Sequence, residues 1–258
     1  MARSWILANV LWLAACGRLG FDAREVAGAD ATIVGPHAQL GASAVGTTTE
    51  CGVPPSASGT LVVANTGDQD LAITAAVVTG GFAVSTPLPL AIPPGGSATL
   101  AISPPPAVVG TDLANSIKLG TLALATNDPA ALPIVELSAQ VIGANVAFAT
   151  QAMPITQVVF SALSSCPMPQ DVVIKNTGSL PATVAFTGTS NVTFSGFSGG
   201  TLDASSSAAM ILHALTTGAC GVTGGYLLYT VTGSVCTTTP ATLDVKIDIG
   251  GSTSCFCS

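Results

Sequence analysis

Thr242-Leu243-Asp244-Val245-Lys246-Ile247-Asp248-Ile249 alternates without a break. Leu243, Val245, Ile247 and Ile249 fall on one side of an extended chain, and Asp244, Lys246 and Asp248 on the other. A period of two over this length is the pattern of a β-strand with one face buried. The stretch Ile134-Val135-Glu136-Leu137-Ser138-Ala139-Gln140-Val141 carries the same alternation earlier in the chain.

A second pair of stretches repeats at nearly the same distance. Cys51-Gly52-Val53-Pro54-Pro55 leads to Gly59-Thr60-Leu61-Val62-Val63-Ala64-Asn65-Thr66-Gly67. Its echo runs from Cys166-Pro167-Met168-Pro169 to Asp171-Val172-Val173-Ile174-Lys175-Asn176-Thr177-Gly178, so that Asn176 answers Asn65. Lys175 marks the outward side, so Val172 and Ile174 point inward, as do Leu61 and Val63 in the first copy. Asn-Thr-Gly closes each strand with turn residues. Both spacings amount to about 110 residues, a domain-sized period that predicts homologous units at 38–142 and 143–250. Turn signals recur at Pro93-Pro94-Gly95-Gly96, Pro104-Pro105-Pro106 and Asn127-Asp128-Pro129. Short strands with turns at such intervals, in units of roughly 105 residues, predict two tandem seven-stranded β-sandwiches in an all-β chain.

Composition agrees. Of 258 residues 48% are hydrophobic, 5% aromatic and only 7% charged. The apolar excess is aliphatic, padded with Thr, Ser, Gly and Pro, which argues against coiled coils, helical bundles and charged disordered tails. Six basic residues against thirteen acidic ones give a net charge of −7. With no basic patch, phosphate-driven binding of nucleic acid is not expected.

The order of these features carries a family resemblance. Strand-Asn-x-Gly is followed by an alternating strand, Phe82-x-Val84, Ile92-Pro93-Pro94-Gly95, Leu100-x-Ile102 and Gly120-x-Leu122-x-Leu124, ending in Asn127-Asp128-Pro129. This resembles the ASPM/SPD-2/hydin type of immunoglobulin-like domain, relatives of the major sperm protein and PapD-like sandwiches. The match covers most of residues 55–142. The second copy departs from it, with Val235-Cys236-Thr237 for the Asn-Asp-Pro turn and Asp203-Ala204-Ser205 for Pro-Pro-Gly. The resemblance implies a non-enzymatic interaction or spacer module, with no functional residue to transfer.

The start of the chain reads as an address. Arg3 precedes an apolar run from Trp5 to Ala15. That run is too short for a membrane span of about 20 residues and right for the apolar region of a signal peptide. Leu13-Ala14-Ala15-Cys16 resembles the lipobox of bacterial lipoproteins, and Cys16-Gly17-Arg18-Leu19-Gly20-Phe21-Asp22 resembles the start of lipoproteins from myxobacteria-like genomes. The resemblance implies that residues 1–15 are removed and that Cys16 is acylated. Residues 16–37 then form a tether, and the protein sits in the cell envelope, on the periplasmic or surface face of the outer membrane. Two or more acyl chains anchor stably. Removal of Trp5, Trp12 and Arg3 leaves no tryptophan and a net charge of −8. No later stretch reaches 18 apolar residues, and Tyr226 and Tyr229 alone cannot form the aromatic girdles of a transmembrane barrel.

Six cysteines remain beside Cys16: Cys51, Cys166, Cys220, Cys236, Cys255 and Cys257. An even number in an exported chain suggests disulfides, with fifteen possible connectivities. In a sandwich, Cys166 and Cys220 fall on loops at one end and could bridge. Cys51 lies where the first unit abuts the second, and Cys236 on the facing end of the second, so a 51–236 bridge could lock the two. Cys255 and Cys257 remain in a tail, residues 251–258. Zinc is the competing reading, but Cys-x-Cys is not the usual knuckle spacing and histidine partners are scarce.

Catalytic signals are few. Gly196-Phe197-Ser198-Gly199-Gly200 matches Gly-x-Ser-x-Gly, with Asp203 and His213 following in hydrolase order. That motif needs a strand-to-helix elbow under a parallel sheet, and no amphipathic helix follows here. Asp68-Gln69-Asp70 lacks the rest of a calcium loop and reads as a polar turn. His37 and His213 have no ligand-spaced partner. The sequence therefore predicts a lipid-anchored, non-enzymatic binding or structural module with no cofactor or metal. Its partner is an envelope protein, and edge-strand addition is one available mode. A secreted serine hydrolase using Ser198 is the alternative.

Overall fold

A computed structural model describes residues 35–150, 154–162, 167–215, 221–237 and 241–249. All regular structure in it is β. Nine strands occupy residues 38–142: β1 (Ala38–Leu40), β2 (Ala44–Glu50), β3 (Gly59–Asn65), β4 (Leu71–Val78), β5 (Ala83–Val84), β6 (Leu90–Ile92), β7 (Ser97–Ser103), β8 (Ile117–Thr126) and β9 (Val135–Ile142). They form a four-stranded sheet in the order β1-β3-β7-β5 and a five-stranded sheet in the order β2-β9-β8-β4-β6.

Nine more follow: β10 (Val146–Ala149), β11 (Gln157–Ala162), β12 (Gln170–Asn176), β13 (Ala182–Ser190), β14 (Val192–Gly196), β15 (Gly200–Leu202), β16 (Ser206–Ala214), β17 (Gly221–Thr232) and β18 (Ala241–Ile249). Their sheets run β10-β12-β16-β14 and β11-β18-β17-β13-β15. Adding nine to each label of the first pair of sheets gives the second pair. The sequence repeat is thus a repeat of ladders, and each copy is an immunoglobulin-like sandwich.

The expected seven strands per sandwich become nine for a physical reason. The first strand serves both sheets. β1 pairs with β3 (Ala38↔Asn65), then the chain crosses, and β2 runs parallel to β9 (Ala44↔Glu136). Gly41 makes the crossing, its N–H donating to Val62 O at 2.8 Å. In the second copy β10 pairs with β12 and β11 runs parallel to β18. The middle of each sandwich has two short strands, β5 and β6 or β14 and β15, one per sheet, where a seven-stranded plan has one.

Alternation places the cores. Leu61, Val63, Leu100, Ile102, Leu122 and Leu137 are buried between the first pair of sheets. Val172, Ile174, Met210, Leu212, Leu243, Val245 and Ile247 fill the second. The second core is also aromatic. Phe148 meets Tyr229 edge-on at 4.9 Å, and Phe186 lies 4.8 Å from Phe194. Burial pushes the Tyr229 hydroxyl up to about 12.

Candidate functional site

The two sandwiches meet at a joint built from short stretches of both. Cys51 follows β2 directly, and Cys236 lies between β17 and β18. They form a disulfide that spans 185 residues of sequence, their Cα atoms 5.1 Å apart. Both are 1% exposed, enclosed with Ala107, Ala114 and Val141 in a small apolar cluster of their own. Gly143 passes so close that a Cβ there would lie 2.5 Å from Cys236 Sγ.

Polar contacts surround this cluster. Ser234 Oγ donates to Glu50 Oε1. Gly110 N donates to Cys236 O at 2.7 Å. Ala114 N donates to Asn145 Oδ1 at 3.3 Å, and Asn115 Nδ2 to Thr177 O at 3.2 Å. The β7–β8 loop that supplies these groups is held by Asp112. Its carboxylate accepts from Val108 N at 2.6 Å and pairs with Lys118 at 2.8 Å. The Lys118 hydrogen bond, then that of Val108, holds the Asp112 carboxyl below the usual range.

Bonds at the joint match those where the chain enters the first sandwich. Asn145 N donates to Asn176 Oδ1 at 3.2 Å and Thr177 N to Asn145 O at 2.9 Å. The counterparts are His37 N to Asn65 Oδ1 at 3.3 Å and Thr66 N to His37 O at 2.8 Å. Asp128 adds a further hold on the first sandwich. Its side chain, 2% exposed, accepts from Ala38 N at 2.7 Å and Ala130 N at 2.8 Å and faces His37 Nδ1 at 3.5 Å. So the chain is already bound at His37, the last residue of the expected tether.

The other residues singled out from sequence are not gathered. Ser198 is exposed in a turn between β14 and β15, not at a strand-to-helix elbow. Phe197 N donates to Ala209 O, so Ser198 sits past the end of β14, where Gly196 pairs with Met210 of β16. His213 stands opposite Thr193, roughly 13 Å along the strand, and faces Ser195 Oγ at 3.4 Å. The carbonyl of Asp203 accepts from Asn176 Nδ2 at 3.1 Å. Asp68 accepts from Gly35 N at 2.6 Å, and Asp70 O from Asn127 Nδ2 at 3.1 Å, so the Asp-Gln-Asp stretch is a bonded turn. Among the described residues, no three His, Cys, Asp or Glu side chains gather as a metal site. Cys16, Cys166, Cys220, Cys255 and Cys257 lie outside the described residues.

Sequence reasoning missed the β7–β8 loop and Asn145. The loop carries a run of three prolines and an Asp, but no local pattern tells that it contacts residues beyond 230. The one available signal was Cys51 and Cys236 themselves.

Fold and joint together define a class: paired immunoglobulin-like sandwiches covalently locked end to end. No protein-family model matches the chain, and no curated protein matches it. Among solved structures it is similar to a protein of unknown function from Porphyromonas gingivalis W83. That match has 10% identity, covers 82% of this chain and 99% of that one, and has a TM-score of 0.29. It is similar to the periplasmic chaperone SfaE at 12% identity, over 82% of this chain and 100% of that one, TM-score 0.32. It is also similar to the CupB2 chaperone of Pseudomonas aeruginosa at 13% identity, over 80% and 98%, TM-score 0.31. The assignment of fold rests on the ladder order above.

Proposed function

We propose that this protein is a lipid-anchored envelope module that presents a rigid pair of immunoglobulin-like sandwiches to a protein partner. The observation that carries the reading is the joint. Unlinked domains move relative to one another by default. Here a buried disulfide and at least four cross-joint hydrogen bonds oppose that motion. Loops and sheet edges of both sandwiches are thereby held in one arrangement, which lowers the ordering cost of binding. Acylation of Cys16 would place the pair on the outer membrane, and the ASPM/SPD-2/hydin resemblance of residues 55–142 fits a spacer or interaction role.

The chemistry is read as non-enzymatic because Ser198, Asp203 and His213 do not converge. Palmitate labelling that disappears in Cys16→Ser tests the anchor. Capture from envelope fractions tests the module: a partner retained by the oxidised chain is expected to be lost or weakened in Cys51→Ser/Cys236→Ser. Equal capture by both forms would remove the role of rigidity. Labelling of Ser198 by a fluorophosphonate probe would overturn the non-enzymatic reading.

A further inference from the structure

The first five-stranded sheet has an open edge at β2. In a parallel ladder, successive residues turn their backbone groups alternately toward and away from the partner strand. Glu136 N donates to Ser43 O at 2.9 Å and Cys51 N to Ile142 O at 3.1 Å, so the odd-numbered residues of β2 are spent on β9. The N–H and C=O groups of Ala44, Gly46 and Thr48 therefore point away from the sheet, and among the described residues nothing bonds to them. We infer that this edge pairs with the same edge of a second copy of the chain. The inference goes beyond the reading above and needs neither the lipid anchor nor the joint.

Sheet edges are usually protected by a charge, a proline, a bulge or shortness. β1, β5, β6 and β15 also end sheets, and they have only two or three residues each. β2 has seven, its register against β9 is unbroken, and residues 44–49 include no proline and no charge. The first ionised residue, Glu50, is already engaged: its side chain accepts from Ser234 and its carbonyl from Val53 N. Space lies open beside the strand as well, in a hollow of about 560 Å³ whose lining includes Gly46, Thr48, Ser58, Ser138 and Leu119.

β2 fits itself. A two-fold axis at Gly46 sets Gly46 against Gly46 and Ala44 against Thr48, an antiparallel pairing in which each opposed pair exchanges two bonds. That makes about six hydrogen bonds. The side chains brought together on the outer face are those of Ala, Gly and Thr. Glu136, level with Ala44, would lie roughly 20 Å from its mate, beyond the ~8–10 Å range of screened charges. The strand's lack of charge is what selects its own copy, since a charged strand of another protein finds no opposite charge here. Contact between two short strands is small, so the dimer is weak and reversible.

Sedimentation equilibrium of the full oxidised chain from about 1 to 500 μM tests this. A reversible monomer–dimer equilibrium is expected, without larger species. Thr48→Pro removes an outward N–H and no bond to β9, and should weaken the dimer at least about tenfold with an unchanged melt. Gly46 has room for a side chain, since a Cβ there meets only Ser138 Oγ at 3.8 Å. Gly46→Glu and Gly46→Lys should each weaken the dimer at least about tenfold, because like charges meet at the axis. An equimolar mixture of the two should associate within about threefold of the parent or more tightly, a rescue that requires residue 46 to oppose itself. Thr48→Pro keeps the test decisive should a charge at residue 46 disturb the fold. A parent that stays monomeric, a dimer unaffected by Thr48→Pro, a folded mixture without rescue, or oligomers beyond the dimer, as β2 pairing with β11 of another copy would give, each overturns the assignment.

Discussion

Asn176 repeats in the second sandwich the side-chain bonds that Asn65 makes in the first, and adds one to Asp203 O at 3.1 Å. Each is 1% exposed at the end of its strand. Asn65 Nδ2 donates to Gln69 O at 2.7 Å and Ile92 O at 2.9 Å, while its Oδ1 accepts from Gly67 N at 3.0 Å. Asn176 Nδ2 donates to Leu180 O at 2.8 Å and Leu202 O at 3.3 Å, and its Oδ1 accepts from Gly178 N at 3.0 Å. With the N–H of His37 or Asn145 added, one amide ties together the incoming chain, its own turn and the end of the short strand β6 or β15 of the facing sheet. These are backbone groups that would otherwise be left unpaired in the interior.

Asn65→Ala and Asn176→Ala are each expected to cost about 2–4 kcal/mol, because several buried partners lose their bonds at once. Asparagine to aspartate should not rescue either site. It exchanges two N–H donors for an oxygen aimed at carbonyls. Urea denaturation checks this, and a variant within about 0.5 kcal/mol of the parent would show that the network carries little.

The strand, the Asn-Thr-Gly turn and the domain-length repeat were legible because each shows as a pattern in neighbouring residues or in its own recurrence. Period-two alternation reports which face is buried, and Leu61, Val63, Val172 and Ile174 all point inward as read. What Asn65 bonds to was not legible, since its partners come from three separate segments. The split of the first strand between sheets leaves only small residues at Gly41 and Ala42 as its trace. The joint was half legible. Topology put Cys51 and Cys236 at facing ends, but nothing local marks Asp112, Asn115 or Asn145 as its hydrogen-bonding groups.

Gly143→Ala should disturb the joint directly. The added Cβ would lie 2.5 Å from Cys236 Sγ and 2.8 Å from Ser234 O. Gly178→Ala should do the same, since a methyl there overlaps the Gly143 carbonyl. A loss of at least about 2 kcal/mol is expected for each, as backbone must move to relieve the overlap. Gly46→Ala is the control. Its Cβ would meet only Ser138 Oγ at 3.8 Å, and stability should hold or rise slightly. Differential scanning calorimetry of the three variants separates these outcomes.

Acid should weaken the first sandwich through Asp128. Burial alone would raise its carboxyl, but the N–H groups of Ala38 and Ala130 and the nearby His37 outweigh it and hold it below the ordinary value of 3.8. A carboxyl lower in the folded state adds stability that is present above the unfolded value and is lost as pH falls through the folded one. Asp112 has the same sign through Lys118 and Val108. Melting temperature should therefore be flat with respect to these two groups down to about pH 5 and fall below about pH 4. Asp128→Asn should be less stable at neutral pH and show a shallower acid fall; an unchanged slope would mean that Asp128 is not the group responsible.

Removing the disulfide should change the number of transitions as well as their temperature. The bond closes 185 residues, and so restricts the unfolded chain strongly. Cys51→Ala/Cys236→Ala is expected to lose about 2–4 kcal/mol. The remaining contacts across the joint are hydrogen bonds at its rim and a cluster of small side chains, Ala107, Ala114 and Val141. Each sandwich meanwhile keeps a separate core of its own. Coupling by so little apolar surface is weak, so the two cores should melt as two calorimetric transitions in the variant and as one in the oxidised parent. A single transition in both would show that the hydrogen bonds of Ala114, Asn115 and Gly110 suffice to join the sandwiches, and that the disulfide adds stability without adding rigidity.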